Sequence, residues 1–103
     1  MRVTLKSEGG IAHFPGLAKP LVLDSDALPP EAAAALRELV ETSGVFQLPS
    51  VVGTPASGAA DMRTHTLTVE DGDRRHRVSV AETAMPASFR ALIQFVRAHG
   101  TRV

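Results

Sequence analysis

The chain has 103 residues, enough for one small hydrophobic core, and we expect a single domain over residues 1–103. Eleven Lys and Arg residues balance eleven Asp and Glu residues, which argues against a nucleic-acid partner because such proteins normally carry a basic excess. The absence of Cys excludes disulfides and thiolate metal sites, and no apolar run is long enough for a secretion signal or a membrane span. The expected location is therefore the cytoplasm, with no membrane partner.

The N-terminal part of the sequence predicts short strands separated by tight turns. Val3–Lys6 alternates apolar and polar residues, as an edge-type strand does. The glycine pair Gly9-Gly10 and the dipeptide Pro15-Gly16 are turn signals, and they bracket a second possible strand at Ile11–Phe14. Leu21–Leu23 is short and apolar, which indicates a third strand or extended segment.

An amphipathic helix is predicted after the first strands. Pro29 and Pro30 suit its first turn, Glu31 suits the positive end of the helix dipole, and Gly44 suits the residue that ends it after Ser43. One face of this helix carries the residues expected in the core: Ala32, Leu36, Leu39, Val40 and Ser43. The apolar segment Val45–Pro49 is then expected to anchor the chain to the core.

Residues Ser50–Ala60 are rich in small residues and proline and show no periodicity, so we expect a mobile loop. After this segment, Arg63–Val80 has the pattern of a β-hairpin with Asp71-Gly72 as a two-residue turn. That turn pairs Val69 with Arg74, Leu67 with His76 and His65 with Val78. One hairpin face is then apolar and half-buried, and the other, rich in threonine and arginine, is solvated.

The C-terminal helix is predicted from Pro86 to His99. Its apolar residues recur at helical spacing as Phe89, Leu92, Ile93 and Val96. The predicted fold is α+β: a small antiparallel β-sheet of about four strands with two amphipathic helices packed on one face.

The sequence contains no established catalytic motif such as a nucleophile elbow or a phosphate-binding loop, and we expect neither an enzyme nor a cofactor. His65 and His76 approach each other diagonally in the predicted hairpin. Two half-buried histidines at a sheet margin are far more often structural than metal ligands. Asp24 and Asp26 are interpreted as turn and cap residues rather than an acid–base pair. The basic stretch Arg74–Arg77 alternates between two faces and has no interleaved aromatic residues for stacking on bases.

The segment Gly9–Leu17 is the strongest candidate for a recognition surface. Large apolar residues lie there between two stiff turns, although Ile11 and Phe14 would equally fit the core. Its residues are Gly9, Gly10, Ile11, Ala12, His13, Phe14, Pro15, Gly16 and Leu17.

Together with this segment, two further features resemble the emfourin family, proteinaceous inhibitors of protealysin. These are the Leu28–Glu31 start of an Ala/Leu-rich helix with its Phe46–Pro49 exit, and the polar hairpin that leads to a C-terminal helix beginning at Pro86. At His13 the sequence departs from the family pattern, which is apolar at that position.

The resemblance implies a reversible inhibitor of thermolysin-like (protealysin-like) zinc metallopeptidases, with no cofactor, in which Gly9–Leu17 occupies the active-site cleft. The alternative is a non-catalytic bacterial binding or regulatory module with another target, which would use the same loop or the open face of the sheet. The expected oligomeric state is a monomer.

Overall fold

The computed structural model describes residues 1–8, 20–52, 64–81 and 84–102, and within these ranges six strands form one sheet with two α-helices. The strands are β1 (Arg2–Glu8), β2 (Leu21–Asp24), β3 (Val51–Val52), β4 (Thr64–Asp71), β5 (Arg74–Ala81) and β6 (Thr101–Arg102). The helices are α1 (Pro30–Ser43) and α2 (Ala87–His99). The strand order across the sheet is β3-β5-β4-β1-β2-β6.

The core lies between one face of the sheet and the two helices. Alternation along each strand places every second residue on this face, and the register aligns them across strands: Leu5 lies opposite both Leu21 and Leu67, and Leu67 lies opposite Val78. The helices add their own buried residues, which are Leu36 and Val40 from α1 and Phe89, Leu92, Ile93 and Val96 from α2. The predicted α+β class, with both helices on one sheet face, is confirmed.

Both helices follow the sequence signals closely. Pro30 occupies the first turn of α1, where its missing N–H has no intrahelical acceptor. Gly44 ends α1 in the left-handed region with φ 64°, and its N–H donates to the Glu41 carbonyl at 3.1 Å. Helix α2 ends where the Gly100 N–H donates to the Val96 carbonyl at 2.7 Å. Neither helix has the length and apolarity that crossing a membrane requires, and the same holds for the other helical turns in the described ranges.

The sheet is larger than predicted, and β1 was placed wrongly in it. The four longer strands β1, β2, β4 and β5 are antiparallel, whereas the short strand β3 runs parallel to β5 and β6 extends the sheet beside β2. Strand β1 is central because it pairs with β2 on one side and β4 on the other. The alternation of apolar and polar residues in β1 shows only that one face of the strand is buried. Central and edge strands both have this pattern when helices cover one face of the sheet.

The predicted hairpin register was also wrong, although the faces were right. In the structure Val69 lies opposite His76, Leu67 opposite Val78, and His65 opposite Val80. The turn consists of Gly72 and Asp73 rather than Asp71 and Gly72. Gly72 has φ 61°, and Asp73 does not share a positive φ, which is the pattern of a type II′ turn with glycine at its first central position.

Part of the predicted mobile loop is ordered into the sheet. Ser50 accepts a hydrogen bond of 2.8 Å from the Ser79 N–H, and β3 then pairs Val51 with Ser79 and Val52 with Val80. The prediction for Ser50–Ala60 is therefore wrong for residues 50–52, because backbone pairing to β5 fixes a segment that has no periodic pattern of its own. Residues 53–60 lie outside the described residues.

Candidate functional site at the loop end of the sheet

The candidate segment Gly9–Leu17 lies outside the described residues, and so does the strand expected at Ile11–Phe14. The structure does give both attachment points: β1 ends at Glu8, and β2 begins at Leu21 after Pro20. Because β1 and β2 are antiparallel neighbours, residues 9–19 connect two adjacent strands at one end of the sheet. The site is therefore defined by the strand ends that support it.

The same end of the sheet gathers two more connections. Strand β3 ends at Val52, β4 begins at Thr64 and β5 ends at Ala81, and the register places these three residues at the same end of the sheet as Glu8, with Thr64 directly beside it. The strand ends next to residues 9–19, 53–63 and 82–83 therefore share one end of the sheet. We call this edge, formed by Glu8, Leu21, Val52, Thr64 and Ala81, the loop end.

A hydrogen-bonded polar pair lies on the core face just below the loop end. Ser7 Oγ and His65 Nδ1 are 2.7 Å apart, and they share a hydrogen bond whose direction depends on the His65 tautomer. His65 is 1% exposed, while Ser7, opposite it on β1, is half-buried. The pair links Ser7, near the end of β1, to His65 on β4, two residues before Gly9.

Strand β3 supplies the main exposed apolar side chain near the loop end. Val51 is 60% exposed, and it is the large hydrophobic residue that stands out as exposed in the described part of the chain. It lies on the edge strand of the sheet, two residues before residue 53. A single exposed valine is ordinary on a protein surface and does not by itself indicate an interface.

The opposite end of the sheet, at the β4–β5 turn, is closed by contacts within the domain. Arg74 forms an ion pair with Asp71 across the turn at 3.0 Å, and its guanidinium lies 4.4 Å from the centre of the Phe46 ring. His76 Nε2 donates to the Leu48 carbonyl at 2.6 Å. Phe46 and Leu48 belong to the apolar segment Val45–Pro49, which was predicted to anchor the chain to the core. Arg74 and His76 therefore stabilise the contact between β5 and this segment.

The face of the sheet away from the helices is polar. Thr66 Oγ1 and Ser79 Oγ share a hydrogen bond of 3.2 Å, and Arg75 and Arg77 are exposed on the neighbouring strand. The predicted solvated hairpin face is confirmed for the arginines, while Thr64, Thr66 and Thr68 are half-buried.

The predicted proximity of His65 and His76 was wrong. His76 lies opposite Val69, four positions along β4 from His65, so the two histidines are about 13 Å apart along the strand at roughly 3.3 Å per residue. Each has a partner of its own in Ser7 or Leu48. In the described ranges no three His, Asp or Glu side chains form a group that could hold a metal ion.

Asp24 and Asp26 have the structural role that the sequence indicated. Asp24 Oδ1 accepts a hydrogen bond of 3.0 Å from the Asp26 N–H and so caps the 3₁₀ helix Ser25–Ala27. The sequence interpretation did not identify Ser7, Val51 or the gathering of residues 53–63 at the loop end. The apolar alternation of β4 does contain one polar exception, His65, and that exception is the signal that points to the Ser7–His65 pair.

The fold and the loop end define a class of protein: a small α+β domain that presents several chain connections from one end of a helix-backed sheet. Comparison with known proteins gives the family. The Emfourin family model matches residues 5–97, and the chain belongs to the emfourin family.

A solved structure of this family has the same fold. It is "Emfourin (M4in) from Serratia proteamaculans, M4 family peptidase inhibitor", which is 19% identical to this chain and superposes with a TM-score of 0.51. The match covers 98% of this chain and 90% of the Serratia protein. A search of curated protein sequences found no match.

Proposed function

We propose that this chain is a protein inhibitor of thermolysin-like zinc metallopeptidases. The observation that carries the proposal is membership of the emfourin family over residues 5–97, together with a shared fold with a protein described as an M4 family peptidase inhibitor. Peptidases of the M4 family are the thermolysin-like enzymes. The family supports a role as an inhibitor rather than an enzyme. A cytoplasmic location and a single domain over residues 1–103 stay predictions.

The proposed contact surface is the segment Gly9–Leu17, which would occupy the active-site cleft of the peptidase. Thermolysin-like enzymes favour a bulky apolar side chain immediately after the scissile bond, and Ile11, Phe14 and Leu17 are the residues of this segment that could fill such a pocket. A few anchors in desolvated pockets supply most of the binding free energy at protein interfaces. One of these three residues is therefore the expected anchor.

The position of the segment between β1 and β2 supports this mode of binding. Both ends of residues 9–19 are attached to adjacent strands of one sheet, with Leu5 opposite Leu21 below the loop. In general, attaching both ends of a binding segment to a rigid sheet reduces the entropy lost on docking.

The proposal is tested by titrating a thermolysin-like peptidase with the purified domain and then with alanine variants of Ile11, Phe14 and Leu17. Truncating the anchor should raise the inhibition constant at least about thirtyfold, which corresponds to about 2 kcal/mol of binding free energy. Leu39→Ala is the matched control for Leu17→Ala, because it makes the same truncation at a half-buried leucine of α1, outside the proposed contact segment. Circular dichroism checks that each variant is folded.

Two outcomes contradict different parts of this proposal. If the parent leaves the peptidase active at micromolar concentration, the inhibitor function is wrong, and a binding module with another target takes its place. If the parent inhibits and all three loop variants inhibit equally well while folded, the function stands but Gly9–Leu17 is not the contact surface.

A further inference from the structure

We draw no further inference here: the strongest candidate, the face of the sheet away from the helices with its exposed Arg2, Arg75 and Arg77 side chains, is a polar strand surface, and nothing in the structure shows what covers it.

Discussion

Shortening Leu36 should reveal how strongly α1 is held against the sheet. Leu36 is 0% exposed and belongs to the same buried cluster as Leu67, Val78 and Phe89. Leu39, one turn along the same helix, packs on that cluster but is only half-buried. Leu36→Ala and Leu39→Ala make the same chemical change in the same helix, so differences in helix propensity cancel in the comparison.

The two substitutions should differ because only one leaves a closed cavity. Leu→Ala removes three carbons, and at about 0.8 kcal/mol per buried carbon the transfer cost is about 2.4 kcal/mol for Leu36. A cavity term of about 24 cal/mol per Å³ of residual volume then brings the loss of unfolding free energy to about 3–4 kcal/mol. For Leu39 solvent can fill the space, and we expect a loss of about 1 kcal/mol.

Urea denaturation followed by far-UV circular dichroism measures these losses, since the chain has no Trp or Tyr to report by fluorescence. At about 4–8 °C per kcal/mol for a domain of this size, Leu36→Ala should also lower the thermal midpoint by at least about 12 °C. Equal losses for Leu36→Ala and Leu39→Ala, or a loss below about 1 kcal/mol for Leu36→Ala, would refute the assignment of Leu36 to the centre of the core.

Two glycines give predictions in which backbone conformation and space act separately. Gly72 has φ 61°, and a Cβ added there would meet no atom within 4 Å. Gly72→Val should therefore lower the free energy of unfolding by about 1–3 kcal/mol through backbone strain alone. Gly72→Asn should lower it less in the same urea titration, because asparagine tolerates a positive φ. Gly100 has an ordinary φ of −74°, but a Cβ added there would lie 2.6 Å from the Val96 carbonyl oxygen. Gly100→Ala should therefore lower the thermal midpoint because of this clash at the end of α2. A midpoint for Gly100→Ala equal to that of the parent would show that the packing of Gly100 against Val96 and Leu21 is looser than described.

The sequence predicted the helices and the sheet faces because these depend on local periodicity. Apolar residues at helical spacing located α1 and α2 within one or two residues, and alternation identified which side of β4 and β5 is buried. The cross-strand register of β4 and β5 could not be predicted from periodicity. Moving the turn by one residue, from Asp71-Gly72 to Gly72-Asp73, changes every cross-strand partner by two positions and leaves every side chain on the same face. The hydrophobic pattern therefore fits both registers equally.

The number of strands and the candidate site depended on information that periodicity does not contain. Strand β3 has two residues and joins the sheet through parallel pairing with β5, nearly thirty positions later in the chain, which no local pattern predicts. The central position of β1 follows from β4 pairing on its second side. For Gly9–Leu17 the residues suggested a recognition surface, but its identification as a peptidase-binding loop came from the family resemblance. Its structure lies outside the described residues.

The fold separates the residues that hold the domain together from those proposed to contact a partner. The apolar core lies between the helices and the sheet, and Arg74 and His76 contact Phe46 and Leu48 within the domain, whereas the proposed contact segment Gly9–Leu17 continues from the loop end. If Gly9–Leu17 is the contact surface, alanine at its anchor should raise the inhibition constant, whereas Leu36→Ala should lower the thermal midpoint and leave inhibition by the folded domain unchanged.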